Sequence, residues 1–402
     1  MIKKKLFFGS RIFNLKKNSL KELLKKFDKV YFEINKKTEN PQNIFNLFKK
    51  NYKFSFKAKE LKKFKKFKKI ALIGMGGSIL GPMAIHDIFE DKIRKKFYFF
   101  DDLNEKKLLN FKKEENLNKV LFLIISKSGN TIETLANTYT LDILKRNAKN
   151  IIIISEKKNN QLYILAKKLN LFYIEHKHFI GGRYSVLSEV GIIPAYFMDI
   201  DVRKLRSNIT GFLKKNKLLL KDSSIKLTYL LNSKKFNNLI LLNYAPKLEK
   251  FLFWCQQLIA ESLGKKSKGF LPVISNVPRD HHSLLQLYLD GPKDKFFYIF
   301  SFDEKEKHRI NLKKKLNSKN YLNKKGLNLI KNAQKNALIK SLNKNKIPFR
   351  EFKIKKLDEE SLGELFSYFI FETIIVGKLA NINPFDQPAV EEVKIFTKNY
   401  LK

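Results

Sequence analysis

Short runs of consecutive apolar residues, each closed by a small-residue turn and followed by helical periodicity, constrain this chain most. Val120–Ser126 reads VLFLIIS, apolar at one position after another. A strand exposed on one face alternates; a strand apolar on both faces needs cover on both, which argues for a parallel sheet between helices. Lys69–Ile73, Phe97–Phe100 and Ile151–Ile154 repeat the pattern, with helices expected over Ile79–Phe89 and Ile132–Ala148. The alternation then restarts. Strands are expected at Leu239–Asn243, Phe296–Phe300 and Phe349–Ile354, and helices at Lys247–Leu263, Leu327–Leu342, Ser361–Ala380 and Ala389–Tyr400. The fold class is therefore α/β, two αβα sandwich domains with mainly parallel sheets plus N-terminal and C-terminal helices.

The boundaries that follow are an N-terminal helical extension over 1–60, a first domain over 61–200 carrying the phosphate-binding loops, a second over 201–380, and a C-terminal turn and helix over 381–402. Residues 1–60 show no strong strand pattern, but Leu20, Leu23, Leu24 and Phe27 recur at helical spacing. Residues 200–235 read as helical and connect the halves. A chain of 402 residues suits two domains, each able to bury a core without disulfides. The single cysteine, Cys255, fits a reducing compartment. The apolar stretch near the start, Leu6–Phe8, is too short for a secretion signal, and no stretch approaches a membrane span. A cytoplasmic protein with no membrane contact is expected.

The formal net charge is +44, with basic clusters at Lys57–Lys69 and Lys313–Lys325. Phe64 and Phe67 interleave with lysines, as in a groove that stacks nucleic-acid bases. Lysine is nevertheless spread along the whole chain, so lysine-rich solvated faces are expected and no specific nucleic-acid partner. A positive field would still attract an anionic substrate.

Six segments carry potential chemistry. Gly74-Met75-Gly76-Gly77-Ser78 joins a strand to a helix, where glycines permit a tight turn and unpaired helix N–H groups suit an anion. Its spacing lacks the third glycine of a dinucleotide fingerprint. Ser126-Lys127-Ser128-Gly129-Asn130-Thr131 follows the most apolar strand and offers hydroxyls to phosphate oxygens; Thr131 also reads as a helix cap. Gly181-Gly182-Arg183-Tyr184-Ser185 sets an arginine, a permanently charged fork, on a glycine turn; a structural ion pair is the alternative. Glu261 ends an apolar helix containing Phe251, Trp254, Cys255, Leu258 and Ile259. Desolvation there would suit a base, and a solvent-facing glutamate is the alternative. In Arg279-Asp280-His281-His282-Ser283 the adjacent histidines do not share a helix face, which disfavours a metal pair; His282, opening a helix, suits a proton shuttle. No metal-ligand spacing occurs elsewhere, so no metal is expected. Last, Pro384-Phe385-Asp386-Gln387-Pro388-Ala389-Val390-Glu391, then Lys394, reads as a turn into the terminal helix.

Taken in order over roughly residues 70–400, these segments resemble the glucose-6-phosphate isomerase family. The family's motifs are similar to Gly-x-Gly-Gly-Ser, Ser-Lys-Thr-x-x-Thr-x-Glu-Thr, Gly-Gly-Arg-Tyr-Ser, Glu-Ser-x-Gly-Lys, Gln-His-Ser-x-x-Gln-Leu and Phe-Asp-Gln-x-x-Val-Glu-x-x-Lys. The resemblance implies two sugar-isomerase (SIS) domains and interconversion of glucose 6-phosphate and fructose 6-phosphate, a step of glycolysis and gluconeogenesis. It assigns Glu261 as the base, His282 and Lys394 to ring opening, and Arg183 to the cis-enediolate. Gly77, Ser78, Ser126, Lys127, Ser128 and Thr131 fall in the phosphate and sugar pocket, and Gln387 is a further substrate contact. No cofactor is implied. In the family the histidine comes from a second subunit, which implies a homodimer with the active site at the subunit interface. The chain departs from the pattern at Ser128-Gly129-Asn130 and at Arg279-Asp280-His281, which leaves substrate breadth and a role for His281 open. The rival readings are another SIS-type isomerase, acting on mannose or aminosugar phosphates, and a non-catalytic sugar-phosphate sensor.

Overall fold

The computed structural model describes residues 6–10, 12, 17–37, 40–304, 306, 308–312 and 320–401. The basic start at 3–5 and most of the basic cluster begun at Lys313 lie outside the described residues.

Among the described residues, two five-stranded sheets organise the fold. The first is built from β2 (Lys69–Ile73), β3 (Lys96–Phe100), β4 (Val120–Ile125), β5 (Ile151–Ser155) and β6 (Phe172–Glu175), in the order β3-β2-β4-β5-β6 and parallel throughout. Side chains alternate across it. Leu121, Leu123 and Ile125 join one core, and Val120, Phe122 and Ile124 the other, so every residue of β4 is buried. The continuous apolar run is the direct consequence of helices on both faces.

The second sheet holds β1 (Leu6–Ser10), β7 (Asn238–Asn243), β8 (Leu271–Asn276), β9 (Lys295–Phe302) and β10 (Phe349–Ile354), in the order β1-β10-β9-β7-β8. All neighbours are parallel except β1, which pairs antiparallel with β10 from Leu6 opposite Ile354 to Ser10 opposite Arg350. The first 60 residues thus contain a strand, contrary to the purely helical expectation. It sits at a sheet edge and carries Gly9, so neither length nor composition announces it. The helix expected there is α1 (Lys17–Lys37).

Five further helices position the site: α2 (Leu80–Phe89), α3 (Ile132–Thr140), α4 (Glu249–Leu263), α5 (Glu359–Leu379) and α6 (Pro388–Tyr400). The second helix of the first sheet was expected to reach Ala148 but stops at Thr140. Asp142 and Asn147 adopt positive φ, at 53° and 57°, which a helix does not tolerate. The α5 helix is buried along nearly its whole length, and Asp358 caps its start by accepting from the Ser361 N–H at 2.9 Å. Among the described residues no helix is long and apolar enough to cross a membrane. Phe64 and Phe67, the aromatics set among lysines, are buried and present no stacking face.

Candidate active site

In the first sheet the chain leaves β2 for β3 on one side and returns to β4 on the other. At such a reversal the loops at the carboxyl ends of the two central strands part and leave a crevice. The loops here are Gly74–Ser78 and Ser126–Thr131, the two phosphate-type turns of the sequence.

The hydroxyls of the second turn converge. Ser126 Oγ lies 2.8 Å from Thr131 Oγ1 and 3.5 Å from Ser128 Oγ, and the Gly129 N–H donates to Ser126 Oγ at 3.2 Å. Thr131 stands at the start of α3 but its side chain makes no cap bond there. Its hydroxyl goes to the cluster instead, against the capping expectation. Lys127 points toward Glu156, Nζ to Oε1 3.4 Å, and burial holds its ammonium below the usual lysine range while Glu156 opposes the shift. Nothing in the sequence linked Glu156, on the next turn of the sheet, to this lysine.

The first turn is pinned from two sides. Gly76 has φ +51°, and a methyl on it would lie 2.6 Å from the Gln257 side-chain nitrogen. A methyl on Gly77 would lie 2.2 Å from the Gly182 carbonyl carbon and 2.4 Å from Arg183 N. Backbone cannot yield there as a side-chain tip can. Gly77→Ala is expected to lower unfolding stability by about 1–3 kcal/mol, the range for overpacking. A reduced urea midpoint reads this out, and an unchanged midpoint would contradict the close approach.

Beneath this contact lies Arg183, whose side chain is 2% exposed. Its Nε donates to Ser262 Oγ at 2.8 Å. Nη1 donates to Glu261 Oε2 at 3.0 Å and to Gln387 Oε1 at 2.6 Å. Nη2 donates to the carbonyls of Pro384 and Asp386 at 2.6 and 3.1 Å. One guanidinium therefore joins the end of α4 to the turn that begins α6. Tyr184 reinforces the junction, its hydroxyl donating to Pro384 O at 2.8 Å. Lys265 does the same from the other flank, donating to Asp386 Oδ1 at 2.7 Å and holding that carboxyl below the ordinary aspartate range.

Glu261 sits at the carboxyl end of α4, where the helix dipole is negative and a carboxylate needs a compensating cation. Arg183 supplies it, and Gln257, one turn earlier on α4, donates to Glu261 Oε1 at 2.9 Å. The side chain is 27% exposed. Its surroundings are polar, because the Phe251, Trp254, Cys255 and Leu258 face packs inward while Glu261 turns to Arg183 and Gln257. The motifs did not single out Gln257, although the i, i+4 spacing to Glu261 is the signal that finds it.

The remaining candidates lie apart. His282 is exposed and closes a single turn, Arg279–His282, where a helix opening was expected. That turn follows β8 and stands beside the start of α4, since Asn276 donates to Glu249 Oε1 at 2.7 Å. Glu261 is twelve residues further along α4, or about 18 Å at the helical rise. His281 is engaged locally, its Nε2 2.9 Å from the Tyr244 hydroxyl, with its pKa lowered by burial and then by His282. Lys394 is exposed on α6, none of whose residues is buried, and its Nζ lies 2.7 Å from Glu391 Oε1. Among the described residues no group of three or more histidine, cysteine or acidic side chains is placed to hold a metal ion.

Two mainly parallel sheets, with glycine and hydroxyl turns at a strand reversal facing an arginine–glutamate pair, define the sugar-isomerase (SIS) class of fold. A crystal structure of a hypothetical protein from Thermus thermophilus matches with TM-score 0.84 at 24% identity, covering 98% of this chain and 99% of that one. That of a glucose-6-phosphate isomerase from Chlamydia trachomatis matches with TM-score 0.77 at 17% identity, covering 99% of this chain and 88% of that one. The sequence profile of phosphoglucose isomerase matches residues 49–269, just over half of the chain. A glucose-6-phosphate isomerase of Methanocaldococcus jannaschii is 33% identical over 334 residues, covering 81% of this chain and 82% of the relative. The chain belongs to the phosphoglucose isomerase family.

Proposed function

We propose that this chain interconverts D-glucose 6-phosphate and D-fructose 6-phosphate with Glu261 as the base. The observation that carries the reading is the Glu261 carboxylate held between Gln257 and Arg183, the two residues that lie against the glycine turn of the first sheet's crevice. In the proposal the hydroxyls of Ser126, Ser128 and Thr131, with Lys127, Gly77 and Ser78, receive the phosphate. Binding energy from that remote group orients the sugar carbons at Glu261. Glu261 takes the proton from C2 of the open aldose. Electrons shift toward the C1 oxygen, Arg183 stabilises the cis-enediolate, a proton passes from the C2 hydroxyl to the C1 oxygen, and the same carboxylate returns its proton to C1, leaving the carbonyl at C2. One carbon is oxidised as its neighbour is reduced, so the reaction balances without a redox cofactor. Gln387, sharing Nη1 of Arg183 with Glu261, is placed in contact with the sugar hydroxyls.

Ring opening falls to His282 and Lys394, which move protons between the ring oxygen and the anomeric hydroxyl. The separation of His282 from Glu261 within one chain supports a homodimer in which each site borrows the partner's histidine. Such an enzyme, with one buried cysteine and no disulfide to form, suits the cytoplasm.

The test is a coupled assay of purified protein converting fructose 6-phosphate to glucose 6-phosphate with a chelator present. Turnover is expected to persist in chelator. Turnover of mannose 6-phosphate or glucosamine 6-phosphate in its place would assign the site to a different sugar-phosphate isomerase.

A further inference from the structure

The amino ends of β2, β4 and β5, which are neighbours in the first sheet, border a cleft of about 870 Å³. It lies at the opposite sheet edge from the glycine and hydroxyl turns, roughly 17 Å away along a five-residue strand. The loops entering those three strands bring Lys66, Lys68, Lys119, Lys145, Arg146 and Lys149 to its walls. Among the described residues none of these six has a carboxylate within ion-pair distance. Asp142 is the one carboxylate among the described residues of the lining. Nine of the fifteen lining residues are exposed and these six are two-thirds of them, whereas lysine and arginine are under two-fifths of the exposed described residues of the chain. A seventh cation of the lining, Lys69, is paired with Glu115, and Lys65 outside the cleft pairs with Asp199 at 2.8 Å. Like charges crowded without acidic partners raise the local potential and concentrate a counter-ion of matching valence.

We propose that this cleft is a binding site for a compact polyanion carrying several linked phosphates. Six cations without a carboxylate partner exceed what one phosphate can engage, and each lysine or arginine can donate to phosphate oxygens as a charge-assisted bond. The volume suits a small ligand. Nucleic acid fits less well, because Phe67, the one aromatic of the lining, is 8% exposed and offers no face on which a base can stack.

Isothermal titration calorimetry with sodium tripolyphosphate tests this, run with fructose 6-phosphate in excess so that the sugar-phosphate crevice is occupied. One-site binding is expected, weakening as salt rises. The triple variant Lys66→Gln, Arg146→Gln, Lys149→Gln should weaken it by about tenfold or more, a shift of about 1.4 kcal/mol or more. The control Lys21→Gln, Lys25→Gln, Lys29→Gln removes the same charge from the exposed face of α1 and should leave affinity within about twofold. Equal losses in both variants would assign the binding to the overall field and overturn the site. Absence of binding heat would overturn it outright. Tighter binding of a single-stranded RNA oligomer, lost with the same three residues, would overturn the small-polyanion reading in favour of nucleic acid. Thermal denaturation of each variant verifies that it is folded, independently of turnover.

Discussion

Glu261→Gln is expected to lower kcat by about a thousandfold or more, within the range for removing a general base, while fructose 6-phosphate still binds. The substitution preserves shape and removes the proton-accepting charge. The amide oxygen of the new side chain still accepts from Arg183, and the Gln257 amide can flip to present its own oxygen to the new NH₂. The hydroxyl cluster at Ser126, Ser128 and Thr131 is on a different loop and is untouched. The change should therefore appear in kcat and leave affinity within a few-fold, the pattern of an interaction used in the transition state alone. Two measurements check it. The coupled assay gives kcat. NMR in deuterium oxide gives exchange at C2 of glucose 6-phosphate, which should stop. Turnover within tenfold of wild type, or continued exchange at C2, would remove Glu261 from the role of base.

Much of the fold was legible because buried parallel strands write themselves as uninterrupted apolar runs. The bounds expected for β2 and β10, Lys69–Ile73 and Phe349–Ile354, match the structure, and those of β4 differ by one residue. The strands left unread are those whose physics differs. β6 is four residues with a charged end. β8 carries Pro272 and sits at a sheet edge, where a missing N–H is tolerated. β1 reaches its partner β10 from more than three hundred residues away. The site divides in the same way. Motif order brought out Arg183, Glu261 and Gln387, which the fold brings into direct hydrogen bonding. The Lys127–Glu156 pair and the Gly77–Gly182 contact depend on how separate loops meet, and no spacing encodes that. The place of His282 is a matter of strand direction. α4 runs back along the sheet, so the end bearing Glu261 and the turn after β8 occupy opposite edges.

That geometry leads to the second large effect. His282→Ala and Glu261→Gln, each inactive or nearly so alone, should regain activity when mixed. Suppose each catalytic centre takes Glu261 from one subunit and His282 from the other. A dimer with one subunit of each kind then has one centre carrying both substitutions and one carrying neither. Random reassortment makes half the dimers mixed, and half of their centres are intact, so about a quarter of wild-type activity should return. The exchange is run by co-expressing the two chains with different tags and purifying through both. The doubly tagged dimer should then approach about half of wild-type turnover per dimer. If His282 instead served its own chain's Glu261, every centre in the mixture would carry one lesion, and activity would stay at the level of the separate variants. His282→Ala alone should also lose more turnover on cyclic sugar phosphate than on an open-chain analogue, because the histidine acts before Glu261 meets the substrate. The two experiments are independent. Complementation tests which subunit the histidine serves, and the cyclic-to-open ratio tests the step in which it acts.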